Sequence, residues 1–198
     1  MKNLLILPLI LLSVCVFADD RFILGTIGQL TAEGDEDEFG LVLESSMLGL
    51  GTNFYNFRDE SVYLGASFTS FNGDIDICED ARCISGDISS TSISGEIGRN
   101  FEHYTPFIGA VFQTGETEIL GLSESTDDWS INAGIWLTLD RVYLRGAMHS
   151  IDDSDSRSIS GGFLYQMESE FVIGAAVESL LDSDIDGMYF TLSFGKSL

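Results

Sequence analysis

Apolar and small polar residues alternate along ten short stretches of this chain, and the alternation predicts ten β-strands. In the clearest stretch, residues 129–139, odd-numbered positions are apolar and even-numbered positions are Ser, Asn, Gly or Thr, with Trp136 as the exception. A period of two places successive side chains on opposite faces of a strand. The predicted strands are residues 21–32, 39–52, 61–72, 89–101, 106–116, 129–139, 142–151, 158–167, 171–181 and 188–195.

The lengths of these strands and of their connections predict an antiparallel up-and-down barrel. A tilted strand needs about 9–11 residues to cross a bilayer, and most of the stretches are near that length. Asp140-Arg141 and Glu168-Ser169-Glu170 read as tight hairpin turns. The predicted fold class is therefore all-β, a transmembrane up-and-down barrel of ten strands. Eight strands remain the alternative, because the first two stretches alternate least regularly.

The composition of the second face separates a membrane barrel from a soluble one such as a lipocalin. A soluble barrel turns its apolar face inward and covers the other face with charged residues. Here the second face carries mainly Gly, Ser, Thr and Asn, with very few charges. That face suits a narrow polar lumen, and the apolar face suits contact with lipid.

Charge is sorted between the two sets of connections. We number the connections between the predicted strands in chain order. The odd-numbered connections and the strand ends beside them hold 21 of the 32 acidic residues, and their only basic residues are Arg82 and Arg157. The even-numbered connections are less acidic and rich in aromatic residues, as in residues 53–57 and around Tyr104. Aromatic rings are typical of membrane interfaces. We therefore expect the acidic rim to face outward and the aromatic rim to face the periplasm.

The first 18 residues read as a secretory signal peptide. Lys2 is followed by an apolar stretch and by a small-residue site ending at Ala18, before Asp19-Asp20. The domains are then a cleaved signal peptide, 1–18, and an outer-membrane β-barrel, 19–198. A lipoprotein processing site at Cys15 is the alternative for this segment.

Two cysteines remain after cleavage. Cys78 and Cys83 flank a four-residue segment, and in an oxidising envelope such spacing favours a small disulfide-closed loop. Two thiols without a nearby histidine do not complete a zinc site. We predict no metal, no cofactor and no catalytic residue.

Residues 105–110, 129–134, 140–147 and 187–194 resemble the small bacterial outer-membrane β-barrel superfamily, which includes the porin-family and outer-membrane-protein-A-type barrels. The resemblance implies location in a Gram-negative outer membrane, contact with lipid and lipopolysaccharide, and recognition of the last strand by the barrel-assembly machinery. One departure is the end of the chain, where Gly195-Lys196-Ser197-Leu198 follows Phe194 instead of an aromatic terminus.

Four charged residues fall in phase with the polar face and are candidates for ion pairs in the lumen: Glu44, Glu96, Arg145 and Glu178. A charge inside a narrow barrel needs a partner, so Arg145 is predicted to pair with one or more of the glutamates. Such a network either gates the lumen or plugs it permanently, and the sequence leaves both open.

The predicted function is non-enzymatic: a structural or porin-like barrel with a narrow, partly ion-pair-plugged lumen. A surface-interaction or adhesion role for the acidic loops is the alternative, and no nucleic-acid partner is expected. A remote alternative is an omptin-like protease that uses Asp74, Asp76, His149 and Asp152.

The acidic rim has three interpretations that the sequence does not separate. It is a solvated repulsive surface, or a site for Ca²⁺ or Mg²⁺ that bridge to lipopolysaccharide phosphates. In the third interpretation, the acidic rim attracts cations toward a pore.

Overall fold

A computed structural model describes residues 20–34, 41–57, 61–79, 82–154, 156–181 and 185–198. The predicted signal peptide lies outside these residues. The ten strands are β1 Asp20–Gly34, β2 Leu41–Phe57, β3 Val62–Glu79, β4 Arg82–Arg99, β5 Tyr104–Ile119, β6 Leu122–Leu139, β7 Val142–His149, β8 Ser158–Gln166, β9 Phe171–Leu180 and β10 Ile185–Ser197.

The strands form one closed antiparallel barrel. Each strand pairs with its neighbour in sequence, and β1 pairs with β10 from Phe22↔Ser197 to Gly34↔Ile185. Closure leaves no open edge at the level where all ten strands meet. The predicted fold class is confirmed, and the eight-strand alternative is wrong. Within the described ranges, no helix is long and apolar enough to cross a membrane.

A belt of large apolar side chains covers the outside of the barrel. It includes Ile23, Phe68, Ile93, Ile108, Phe163 and Leu192, each at least two-fifths exposed. Exposed apolar surface of this extent is unfavourable in water and favourable in a bilayer. The lipocalin-like alternative, with its apolar face inward, therefore does not fit this barrel.

The strands differ in length, so the barrel is taller on one side. Strands β2–β6 have 16–18 residues each, whereas β7, β8 and β9 have only 8, 9 and 10. The aromatic pair Phe112 and Trp129, with ring centroids 4.8 Å apart, lies on the lipid-facing side near the upper end of the belt. We call residues 70–79, 82–91, 114–119 and 122–128, which continue beyond this pair, the outer wall. The predicted strands stop short of the outer wall: β3 and β5 end later than predicted, at Glu79 and Ile119, and β4 and β6 begin earlier, at Arg82 and Leu122.

The polar and apolar faces exchange sides in the outer wall, as β3 illustrates. Within the belt Phe68 is exposed on the outside and Ser67 faces the lumen, whereas further along Asp74 is outside and Ile75 is buried inside. The strand pairing continues without interruption through this change. The sheet is therefore regular throughout, and the exchange reflects a change in what surrounds the barrel, from lipid to water.

A disulfide joins β3 and β4 near the tip of the outer wall. Cys78 and Cys83 are directly opposite each other in the strand pairing and are bonded. The predicted disulfide is confirmed.

Replacing both cysteines, as Cys78→Ser with Cys83→Ser, should loosen the tip of this hairpin and leave the barrel intact. The tip opens locally, so the free energy of unfolding of the barrel should change by about 0.5 kcal/mol or less. Limited trypsin digestion after Arg82 should accelerate in the double variant. A large fall in barrel stability would contradict this.

Candidate functional site

A cluster of buried side chains fills the barrel at the rim that carries Asp20, the first described residue, and Leu198; we call it the terminal rim. Its members come from eight of the ten strands, and we call them the plug: Phe22, Leu24, Phe57, Tyr63, Phe107, Trp136, Tyr143, Ala147, Leu164 and Val172. All are 6% exposed or less. The lumen is therefore occupied by packed side chains at this end.

The plug is built around Phe57 and Trp136. Their ring centroids lie 5.4 Å apart with the rings nearly perpendicular, and Phe57 also contacts Tyr63 at 5.0 Å and Tyr143 at 5.2 Å. Edge-to-face and tilted pairs at these distances are favourable beyond the area they bury. Phe57 belongs to the aromatic connection at residues 53–57, which the sequence predicted to lie at the membrane interface. Its ring nevertheless points into the lumen.

A hydrogen-bonded network lies directly on the plug. Trp136 Nε1 donates to Tyr63 Oη at 3.1 Å, and Tyr63 Oη donates to Glu96 Oε2 at 2.7 Å. The other carboxylate oxygen of Glu96 accepts from Arg145 Nη2 in an ion pair. The Arg145 guanidinium also lies 4.8 Å from the Phe107 ring centroid, a cation–π distance. Arg145 thus joins the charged layer to the aromatic plug.

Glu178, the second acidic candidate near Arg145, lies higher in the lumen. Its carboxylate accepts from Ser158 Oγ at 2.5 Å and is 3.7 Å from His149 Nε2, which also bonds Ser160 Oγ at 2.8 Å. His149 is a lumen residue in this structure, and its ring links β7, β8 and β9.

Glu44 lies on the outside of the barrel, which corrects its predicted place in the lumen. It is exposed, and its partners across the sheet are Glu33 on β1 and Asp76 on β3. Glu44 shares a face of β2 with small polar residues. This part of β2 lies in the water-exposed region of the barrel, where the polar face of the strand points outward. Arg145 and Glu44 are therefore on opposite faces of the barrel wall.

Directly opposed like charges across strands are unfavourable, so Glu44→Gln should stabilise the barrel. The expected gain is about 0.2–1 kcal/mol at low salt, and it should shrink at about 0.5 M salt, where the Debye length is only a few ångströms. Glu116→Gln is the control, because the partners of Glu116 across the sheet are Ser89 and Ser125. Urea titration in detergent measures both, and an equal gain for Glu116→Gln would contradict the explanation.

The residues of the omptin-like alternative are not brought together. Asp74 and Asp76 face outward from β3, His149 faces the lumen, and Asp152 accepts a hydrogen bond from the Ile131 backbone N–H at 2.9 Å. The described part of the chain also contains no group of three or more His, Cys, Asp or Glu residues placed to hold a metal ion.

A polar chamber occupies the lumen above the Arg145–Glu96 layer. It has a volume of about 710 Å³ and extends toward the outer wall. Residues with hydroxyl or amide side chains are the majority of those that line it, among them Thr26, Asn53, Thr69, Ser92, Gln113 and Asn132. The sequence predicted a polar lumen but not its division into a plug and a chamber.

The plug residues were missed, although the sequence carries a signal for them. Trp136 interrupts an otherwise small and polar face of β6, and Leu164 does the same on β8. Large apolar residues on the lumen face of a narrow barrel have no lipid to contact, so they pack against one another.

Solved structures share this architecture. The transport unit of the autotransporter AIDA-I from Escherichia coli aligns with a TM-score of 0.59 at 8% identity, over 89% of this chain and 90% of that chain. The β domain of the Bordetella autotransporter Brka aligns with a TM-score of 0.51 at 14% identity, over 90% of this chain and 99% of that chain. The chain has the fold of the small outer-membrane β-barrels.

A third similar structure is Ail, the attachment invasion locus protein of Yersinia pestis. It aligns with this barrel with a TM-score of 0.48 at 16% identity, over 92% of this chain and 100% of that chain. No protein-family model matches the sequence, and a search of curated proteins gives no match either. At these identities the similarity concerns the fold alone, so function has to be argued from the geometry of this barrel.

Proposed function

We propose that the protein is a non-enzymatic, non-conducting barrel of the outer membrane that acts through contacts made by its outer wall. The terminal rim carries Asp20, Leu198 and the tight turns, and it faces the periplasm in this proposal. The outer wall then projects beyond the lipid on the outside of the cell. The exchange of polar and apolar faces on β3 supports this orientation.

The plug supports a closed lumen. Phe22, Tyr63 and Trp136 are 0–2% exposed, so packed side chains of the described residues occupy the lumen at the terminal rim. Liposome swelling tests the closure: proteoliposomes with the wild-type barrel should admit an uncharged sugar no faster than empty liposomes. Swelling at the rate of a general porin would contradict the proposal.

The observation that carries the surface role is an unpaired edge on β6. Strand β6 starts at Leu122, but β7 pairs with it only from Ala133 to Leu139. Ile131 points its backbone N–H and C=O toward the β7 side, where Asp152 and Ile151 bond them. By alternation, the odd-numbered residues from Trp129 to Ser123 point the same way. No other described strand pairs with them on that side, although the Trp129 N–H donates to Asp128 Oδ1 at 2.8 Å. An edge of this kind is a template for pairing with another strand.

The edge begins beside an exposed apolar tip. Leu120 and Leu122 flank the β5–β6 turn and are each 78% exposed, and Leu120 has a positive φ of 54°. A left-handed conformation costs a leucine energy that Asn or Gly would avoid. A strained, exposed leucine is unfavourable for the isolated barrel. It is what we expect of a residue that contacts a partner.

Charge around the edge defines the kind of partner. Asp127 and Asp128 lie on β6 itself, Glu116 and Glu118 lie on the neighbouring β5, and Asp152 lies in the β7–β8 connection. Like charge disfavours pairing with a second copy of the same edge. The proposed partner is therefore an extended polypeptide segment that carries Lys or Arg and pairs with β6 by strand addition.

Ser125→Pro tests this pairing, because it removes a backbone N–H that points to the free edge and leaves the bonds to β5 in place. The probe is a synthetic ten-residue peptide of alternating lysine and valine, measured by fluorescence anisotropy. Binding to wild type and to Ser125→Ala should be alike, and Ser125→Pro should weaken it about tenfold or more.

Two further results distinguish strand addition from nonspecific attraction to an acidic surface. Leu120→Asn should weaken binding while relieving strain at the turn. A peptide of the same lysine content with a proline at every second position cannot form a strand and should not bind. Equal binding of the two peptides, or of Ser125→Pro and wild type, would overturn the strand-addition model.

A further inference from the structure

The chamber in the lumen has the size of a small-molecule site. Its volume of about 710 Å³ falls within the range of about 300–1,000 Å³ typical of ligand pockets. The plug closes it toward the terminal rim, so a ligand would reach it from the side of the outer wall.

The walls of the chamber offer paired hydroxyl groups. Ser67 bonds Ser94 and Thr69 bonds Ser92, with both oxygen–oxygen distances at 2.7 Å. Within each pair one O–H is used, which leaves the second O–H and several lone pairs unused. The chamber therefore presents hydrogen-bond donors and acceptors next to one another, as a polyhydroxylated ligand requires.

Two buried polar atoms lie at the floor of the chamber without partners. Asn132 is 2% exposed and its Oδ1 accepts no hydrogen bond, and Arg145 Nε donates none, although both residues line the chamber. A buried polar atom without a partner costs about 1–3 kcal/mol. Both atoms are shielded from the chamber surface, so the hydroxyl pairs above them are the groups that a ligand can contact.

An aromatic surface borders the upper part of the chamber. Phe71 and Tyr189 meet edge to face with centroids 5.2 Å apart, and both line the cavity. A Cβ at Gly49 would collide with the Phe71 ring, and one at Gly28 would collide with the Tyr189 ring, so glycine leaves room for both rings against the wall. Phe71 is buried and Tyr189 is half-buried, so the Tyr189 ring is the one that a ligand can contact. An aromatic ring beside hydroxyl groups suits the C–H face of a sugar ring.

The charges in the chamber exclude strongly ionic ligands. Glu96 is paired with Arg145, and Glu178 is held by His149 and Ser158. Asp128 adds a negative charge toward the outer wall, which repels anions. The paired carboxylates leave no single strong site for a cation.

We propose that this chamber binds an uncharged polyhydroxylated ligand, the size of a mono- or disaccharide, from outside the cell. The ligand places hydroxyl groups against the Ser67–Ser94 and Thr69–Ser92 pairs and its apolar face against the Tyr189 ring. This inference is independent of the edge of β6, so either can fail without the other.

Isothermal titration calorimetry of the full-length barrel in detergent tests the proposal. The probes are sucrose as a free sugar, delipidated O-polysaccharide as a surface glycan, and glucose 6-phosphate and glucosamine as charged analogues. Sucrose or the polysaccharide should bind with a Kd of about 1 mM or lower, and the charged analogues should bind more weakly. Binding of the polysaccharide alone identifies the surface glycan as the source.

A pair of matched variants tests the location. Thr69→Val removes a chamber hydroxyl and should weaken binding about fivefold, whereas Thr91→Val removes a hydroxyl that bonds Ser70 on the outer face and should have no effect. No binding at about 50 mM of either uncharged probe, tighter binding of a charged analogue, or equal effects of Thr69→Val and Thr91→Val would overturn the proposal.

Discussion

Arg145→Met is expected to lower the free energy of unfolding of the barrel by about 3–5 kcal/mol. The substitution leaves Glu96 as a charged, 8% exposed side chain with only Tyr63 as a hydrogen-bond donor. A buried charge without its counter-ion retains the full cost of desolvation. Urea titration in detergent, followed by the heat-dependent shift in gel migration of the folded barrel, measures this change.

Two control variants assign the effect to the buried pair. The double variant Arg145→Met with Glu96→Gln should recover most of the loss, because the amide oxygen still accepts from Tyr63 and no charge remains. Arg141→Met removes an exposed arginine that is 3.2 Å from Glu168 at the terminal rim, and it should cost about 1 kcal/mol or less. Equal losses for Arg145→Met and Arg141→Met would contradict the ion-pair account.

Trp136→Ala is expected to cost about 3–5 kcal/mol, the range for removing a large aromatic side chain from a packed core. The change removes ring contacts with Tyr55 and Phe57 and a hydrogen bond to Tyr63. The same urea titration measures the loss.

Trp129→Ala is the matched control for the plug. Trp129 is 67% exposed on the lipid-facing side, whereas Trp136 is 2% exposed. The outer substitution should cost clearly less, since lipid replaces the lost contacts. If Trp129→Ala destabilised the barrel as much as Trp136→Ala, packing inside the lumen would not be what stabilises this end.

The fold was largely predictable from the sequence, because a period of two is preserved wherever a strand separates two different environments. It was least predictable at the ends of β3–β6. Beyond the lipid both faces of a strand meet water or protein, so the alternation weakens and changes phase, as at Asp74 and Ile75. The sequence carries no mark of where the membrane ends.

The site was predictable only in part for the same reason. Arg145 and Glu96 share the polar phase of strands inside the belt, and the structure pairs them. Glu44 is in phase with its small polar neighbour Ser46, but further along β2 the same face carries the lipid-exposed Leu48 and Leu50, so it points outward along the whole strand. The hydrogen bonds among Trp136, Tyr63 and Glu96 depend on the closure of the barrel, which brings β3, β4 and β6 together. Sequence spacing does not contain that information.

Planar-bilayer recording of the purified wild-type barrel tests the central claim, that side chains close the lumen at the terminal rim. The account predicts no stable conductance steps for wild type, and steps for a variant that combines Phe57→Ala with Trp136→Ala. Stable steps from the wild-type protein, unchanged in that variant, would contradict it.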